Sequence, residues 1–378
     1  MICKRRLVAL TQKLIRINSE NPPGNEIQLA DFIEKEMRSL GLKVKTYSFK
    51  KNRPNVVVTL KGVSADAKRN AVLFSPHIDT VPAGGGWKFK PFGAQIHNGR
   101  IYGRGASDDK GNLAVCMEVL RSLVEDKAAL KKDLVFAATA DEETGSHLGI
   151  VPLLERKLLK VKEAVILDSD EFHTIIAQKG LIHCRVKIFG KKAHGAYNWQ
   201  GVNAIELAAK VITRLKTHKF KYDNHLLLRA PTVNIGTIKG GDKVNMVADF
   251  CEFSVDARYL PGTNPRDVLK EIKKIVSREV KNFKIEIDDI QHPYGISAQH
   301  RLVRTYFKAC VSMKQKAKLT GSEGATVISF FKKAGIPAFA TGFSSRGTAH
   351  ATDEYVKIEN LYQGAKVLEK FIKEYDNV

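Results

Sequence analysis

Five short clusters of histidines and carboxylates stand along this chain, most of them just beyond an apolar run. His77 and Asp79 follow AVLFSP (71–76), and Asp141, Glu142 and Glu143 follow LVFAATA (134–140). Asp168 and Asp170 end the run AVIL (164–167). Asp108 and Asp109 lie in the glycine-rich stretch GRGASDDKG (103–111), and AHATDEYV (349–356) carries His350. Singly, each has a bland account: a satisfied His–Asp pair, a helix cap, a solvated acidic turn. Jointly they offer nitrogen and oxygen ligands without thiolates. Three consecutive acids with no adjoining base call for a cation that compensates them. That mixture suits zinc, cobalt or manganese, and two neighbouring metals would need roughly this many carboxylates. A metal-binding histidine usually has a partner that fixes its tautomer, which Asp79 could supply to His77. The glycine spacing of 103–111 is neither a Rossmann nor a Walker fingerprint and argues against phosphate binding.

The elements that must position these residues are legible from periodicity. NVVVTL (55–60), AVLFSP, LVFAATA and AVIL are short, β-branched and flanked by turn residues, the pattern of buried strands. Gly111 to Leu123 and Ser146 to Leu159 have apolar spacing suited to helices. Alternation of the two predicts an α/β domain whose mostly parallel central sheet is flanked by helices, with its chemistry in the loops beyond the strand C-termini. From about Leu181 the pattern changes. LIHCRVKIFG, a helix from Val202 to Leu215, strands from Thr232 to Ile238 and Met246 to Ala257, a helix from Pro265 to Val280 and KIEIDDI give β-α-β-β-α-β order. That order predicts a smaller, inserted α+β module of ferredoxin-like type. The expected organisation is a discontinuous catalytic domain, 1–180 and 293–378, with an inserted domain at 181–292.

HIDTVP, GRGASDDKG, ADEETG and AHATDEYV, in this order, resemble motifs of the di-zinc metallohydrolases that include acetylornithine deacetylase, succinyl-diaminopimelate desuccinylase, aminoacylase and carboxypeptidase G. GKKAHGAYNWQGVNAI, KVNMVADFCEFSVDARYLPG and GSEGATVISFFKKAGIPAF extend the resemblance over nearly the whole chain. The resemblance implies two Zn2+ ions, with Co2+ or Mn2+ as substitutes. His77 would bind one and His350 the other, Asp108 would bridge them, and Glu143 and Asp168 would complete the set. The Glu-Pro-Thr common in the family after this strand is absent, which makes Asp170 an alternative; the offset from Lys179-Gly180 favours Asp168. Asp79 would orient His77, and Glu142 would be the general base. His194, in KKAHGA of the inserted domain, would reach across a homodimer interface to the tetrahedral oxyanion, making that domain a lid and dimerisation unit. Asn245 and Arg258 would hold substrate, Arg258 as a bidentate carboxylate clamp. Ser322-Glu323-Gly324 stands where relatives commonly have Thr-Asp, a departure that bears on specificity. The implied reaction is hydrolysis of the amide bond of an N-acyl amino acid with a free carboxylate. A metallo-dipeptidase or carboxypeptidase acting on short peptides is the alternative.

Composition bounds these readings. With 378 residues, 43% hydrophobic and 27% charged, the chain has the make-up of a globular protein of two or three domains, not of a disordered one. No apolar run approaches the roughly 20 residues that span a bilayer. Lys4, Arg5 and Arg6 precede an apolar stretch, but Gln12, Lys13 and Arg16 interrupt it at helical spacing. An amphipathic first helix and a cytoplasmic protein are therefore expected, not a signal peptide. Five scattered cysteines without C-x-x-C point to buried free thiols. Lys plus Arg exceed Asp plus Glu by 22, yet the excess is spread in pairs such as Lys131-Lys132 and Lys273-Lys274. No basic tail, RNP-like run or zinc finger accompanies it, which argues against a nucleic-acid partner and leaves a small molecule. A binding protein that has lost its reaction is argued against by the filling of every matched catalytic position.

Overall fold

Short β-branched runs bounded by turns are stable as strands when both of their faces are covered. In the computed structural model, which describes residues 1–378, the apolar runs that end in acidic clusters all become central strands of one sheet. It has nine strands, in the order Lys43–Ser48, Pro54–Leu60, Leu134–Ala138, Val72–Ser75, Glu163–Leu167, Ala338–Thr341, His173–Gln178, Tyr294–Gly295, with Lys318–Ser322 pairing off that path with His173–Gln178. The four strands Leu134–Ala138, Val72–Ser75, Glu163–Leu167 and Ala338–Thr341 are mutually parallel. Antiparallel strands flank them on either side. Parallel neighbours end on the same side, so the loops after all four open at one edge of the sheet.

Helices cover this sheet because their apolar residues recur at helical spacing. Lys4–Arg16 buries Leu7, Thr11, Leu14 and Ile15, and Ile27–Ser39 buries Leu29, Ala30, Ile33 and Met37. Lys110–Glu125 is buried almost all round, packed against Lys4–Arg16 and Ile358–Tyr375. In the latter helix Phe371 meets Phe74, Tyr306 and Phe339 edge-on. Each ring so buried is worth about 1.5–3 kcal/mol over exposure. A three-stranded sheet of Gln95–His97, Arg100–Tyr102 and Tyr355–Lys357 ties the segment after His350 to the one before Asp108.

By its internal contacts the chain divides into two units. One comprises Met1–Ile176, Ile296–Thr320 and Phe330–Val378; the other comprises Ala177–Gly295 and Gly321–Ser329. Segment 321–329, which the sequence pattern assigned to the first domain, groups with the second. The second unit carries Gly180–Phe189, Ala204–Thr217, Thr232–Gly240, Phe250–Tyr259, Pro265–Glu279 and Phe283–Gln291 in β-α-β-β-α-β order. Its sheet order is 232–240, 250–259, 180–189, 283–291, every neighbour antiparallel. Ile182, Cys184, Val186, Ile188, Cys251, Phe253, Val255 and Ala257 form one core with both helices. The other face is a charged ladder, with Arg185 on Asp288 at 2.8 Å and Lys187 on Glu286 at 2.7 Å. Asn203 and Asn264 cap the two helices, the second with Pro265 following it.

Two elements differ from the periodicity. The strand expected from Met246 begins at Phe250, because Asn245, Val247 and Ala248 pair with the loop at 193–204 instead of the ladder. The helix expected from Ser146 to Leu159 shrinks to Ile150–Glu155, since the amides of Ser146 and Leu148 turn back onto Asp141. Cys116, Cys184, Cys251 and Cys310 are buried free thiols, whereas Cys3 is exposed at the start of the first helix. No helix is long and apolar enough to cross a membrane.

Candidate metal centre

Each parallel strand delivers one part of the site. Val72–Ser75 continues into His77, which is held extended by a bridge to Thr139. Leu134–Ala138 leads to the short helical turn Glu142–Thr144, Glu163–Leu167 to Asp168, and Ala338–Thr341 to the loop bearing His350. Asp108 comes from the loop ahead of Lys110–Glu125, where Gly105 has φ +83 and a Cβ would meet Thr80 at 2.6 Å. These loops converge on the Asp108 carboxylate. His77 Nε2 lies 2.8 Å from its Oδ1, and His350 Nε2 lies 3.1 Å from its Oδ2. His350 Nε2 is also 3.1 Å from Glu143 Oε2. His77, Asp108 and Glu143 offer ligand atoms within 4.8 Å of one another.

The tautomer of His77 is set by the main chain. Its Nδ1–H donates to the Asp79 carbonyl at 3.0 Å, an acceptor only, so a neutral ring would keep its proton on Nδ1. Facing the Asp108 carboxylate without a metal, the ring is also protonated at Nε2 and donates to Asp108 Oδ1. The Asp79 carboxylate lies farther from the ring, at 3.6 Å, because it accepts the amides of Glu142 and Glu143 at 3.0 and 3.1 Å. Asp170 is engaged elsewhere, 2.7 Å from His173 Nδ1. Asp168, by contrast, feels the charges of Asp108, Glu143 and both site histidines.

Asp108, Asp109, Glu142, Glu143 and Asp168 crowd together, and the positive charges acting on them are His77 and His350. Burial and the charge of Asp168 push the Glu142 carboxyl well above its usual range; burial and Asp108 push Asp168 up to about 6. Burial also raises Asp109. Burial opposes ionisation of Asp108, but hydrogen bonds to His350 and His77 outweigh it and hold its carboxyl well below the ordinary range. Hydrogen bonds to Asp108 and Glu143 raise His350 to about 10. Burial works against protonation of His77, and Asp108 and Asp79 override it. The crowding of carboxylates around two imidazoles, a nitrogen-and-oxygen donor set, fits a divalent metal.

Metal ligation needs neutral imidazole, so metal bound through His77 and His350 would displace their extra protons. At pH 7 His350, at about 10, is protonated without metal, so apparent metal affinity should rise with pH up to that range. Calorimetry in buffers of different ionisation enthalpy is expected to find about one or more protons released on metal loading. No release would contradict this charge arrangement.

Sequence reasoning passed over the frame behind the ligands. Glu354 is fully buried and accepts the amides of Gly105, Ser107 and Asp108 at 3.0, 2.8 and 3.0 Å, with Arg104 Nη1 at 2.6 Å. Asn21 Nδ2 donates to Asp79 Oδ2 and to Thr144 Oγ1, both at 2.9 Å. The signals were a glutamate four residues after His350, and a Pro-Pro-Gly turn beside an asparagine in NPPGNE between two amphipathic helices.

The second unit holds the other three expected residues, in two places. His194 Nδ1 accepts the Ala196 amide at 3.1 Å, which leaves Nε2–H as a donor. The Gly195 amide donates to the Asn245 carbonyl at 2.8 Å, bringing His194 and Asn245 to one corner. Arg258 lies at the other end of the sheet, paired with Leu181 where Phe250 pairs with Phe189. Eight residues at roughly 3.3 Å each separate those ends by about 26 Å. Arg258 is held by Asp256, which accepts from Nε at 2.7 Å and Nη2 at 3.0 Å.

Comparison with known proteins agrees with this architecture. The family model described as peptidase family M20/M25/M40 matches residues 73–374. An acetylornithine deacetylase of Pectobacterium carotovorum is 29% identical over 81% of this chain and 81% of that protein. An uncharacterized metallohydrolase of Methanococcus maripaludis is 28% identical over 97% of this chain and 98% of that protein. Among solved structures, aminopeptidase PepT from Bacillus cereus superposes with a TM-score of 0.84 at 24% identity, covering 99% of both chains, a likeness of fold.

Proposed function

The chain belongs to peptidase family M20/M25/M40 and is a metallohydrolase, and from that premise we propose that it cleaves the amide bond of an N-acyl amino acid bearing a free carboxylate. The observation that carries this reading is the approach of His77 and His350 to the two oxygens of one carboxylate, Asp108, with Glu142 beside them. His77, His350, Asp108, Glu143 and Asp168 would hold two zinc ions, with cobalt or manganese able to substitute. When bound, the metals supply Lewis-acid polarisation of the amide carbonyl and acidify a water molecule. Glu142 takes the proton of the attacking water and passes it to the departing amine. Arg258, whose Nε and Nη2 are held by Asp256, would bind the substrate carboxylate. The similarity to acetylornithine deacetylase supports the acyl amino acid. The buried free thiols suit a reducing cytoplasm.

The test is a hydrolysis panel of acetylated, succinylated and formylated amino acids plus dipeptides, with zinc- or cobalt-loaded protein and a chelator control. Chelator-sensitive turnover fastest on one acyl amino acid supports the proposal. Faster turnover of dipeptides transfers the reading to a metallo-dipeptidase, and turnover indifferent to chelator ends it.

His194 is proposed to steady the oxyanion through Nε2–H, in the site of a second copy. The separation of the His194–Asn245 corner from Arg258 supports this, because one small substrate cannot touch both ends of a single sheet. Mixing His194→Ala with Glu142→Ala, each inactive alone, should restore about a quarter of parental activity through mixed dimers, which own one complete site. Absence of restoration in verified mixed dimers would place His194 in its own chain's site or outside catalysis.

A further inference from the structure

Arg53 belongs to none of the motifs above, yet it is one of the most completely enclosed arginines in the chain. Its Nε lies 2.8 Å from Glu26 Oε1, and its Nη2 lies 3.0 Å from Asp141 Oδ1. Glu26 is fully buried, Arg53 is 4% exposed and Asp141 is also 4% exposed. An ion pair this dry is costly to assemble and more costly to break, so its place is set by what it holds. Asp141 is the residue before Glu142 and sits in the left-handed region at φ 67. Its carboxylate also accepts Thr144 Oγ1 at 2.6 Å and the Leu148 amide at 2.9 Å. The guanidinium therefore holds the turn 141–148 through Asp141, while Asp79 holds it through the Glu142 and Glu143 amides. The segment NPPGNE closes over the arrangement. Asn21 ties Asp79 to Thr144, Glu26 takes the other arm of Arg53, and Gly24 packs against the guanidinium. A Cβ on Gly24 would come within 2.2 Å of Arg53 Cζ, and its φ of +78 also excludes larger residues.

We propose that Arg53 is a positioning residue for the reaction: through Asp141, and sealed by the NPPGNE loop, it fixes the turn that presents Glu142 and Glu143. A rigid turn is needed because adjacent side chains must serve different targets, and a displacement near 1 Å of a reacting group costs about 100-fold in rate. The inference rests on the roles proposed for Glu142 and Glu143.

Arg53→Ala would leave two buried carboxylates without a partner and need not fold. Arg53→Lys keeps the charge but, as a single point donor, serves only one of the two carboxylates well. In metal-free Arg53→Lys protein, amide exchange within 141–148 is expected to quicken about tenfold while the strands of the second unit keep parental protection. In the loaded enzyme kcat should fall about tenfold or more with KM changed less than about threefold. The visible spectrum of the cobalt-loaded protein should shift as Glu143 moves. Parental exchange in 141–148 with parental kcat would overturn the proposal, and so would exchange that quickens evenly throughout the chain. Glu142→Ala run in parallel separates the two readings. If Glu142→Ala is active, the base assignment fails; if it is inactive while Arg53→Lys is parental in every readout, only the Arg53 proposal fails.

Discussion

Glu142→Gln should retain its full complement of metal and lose about 10²–10⁴ of turnover. The amide keeps the size of the side chain but cannot accept a proton, so the attacking water loses its base and the leaving amine its acid. KM should change little, because no role in holding substrate is assigned to this group. The position carries the demand physically. Burial and the charge of Asp168 push the Glu142 carboxyl upward in the metal-free centre, and cations at His77, Asp108 and His350 would pull it back toward the working range. Steady-state kinetics with metal analysis on the same preparation decides the matter. An active Glu142→Ala or Glu142→Gln enzyme would sink the base assignment, and metal loss in either variant would make Glu142 a ligand.

The second large effect is expected at a residue that touches no reacting atom. Glu354→Gln removes the charge that compensates buried Arg104 and replaces with a donor one of two accepting oxygens, Oε1 for the Ser107 and Asp108 amides and Oε2 for the Gly105 amide. The amide end of glutamine would turn its own donors toward backbone donors. Breaking one partner of a buried pair costs about 3–5 kcal/mol. In a chain of this size that corresponds to a fall in Tm of about 5 °C. Below the new Tm the folded fraction should bind metal more weakly and turn over about 100-fold more slowly, since the Asp108 loop is no longer pinned. Glu354→Asp keeps the charge and should recover stability ahead of activity. Parental Tm and turnover in Glu354→Gln would show that the loop holds itself.

The candidate ligands could be singled out because metal chemistry is carried by residue type. Histidines and carboxylates placed after apolar strands point to a polar centre wherever the sheet is parallel, and His77, Asp108, Glu143 and His350 do converge. The frame was not legible, because its members look like ordinary turn and surface residues. Glu26, Arg53 and Glu354 are charged, and a charged residue reads as solvent-facing until its burial and partners are known. Asp170 shows the complement: it shares residue type and strand end with Asp168, and only its pairing with His173 separates the two.

The sequence alone therefore determined the order of strands and helices, the two-part division in outline, and the donor chemistry, since each follows from local periodicity or residue type. The tertiary structure decided which carbonyl fixes the His77 tautomer, which carboxylates grip the turns behind the ligands, and that His194 and Arg258 occupy opposite ends of one sheet. Those facts depend on pairings between residues far apart in the chain. The burial and pairing of charged groups are properties of the packed whole, and no local pattern encodes them.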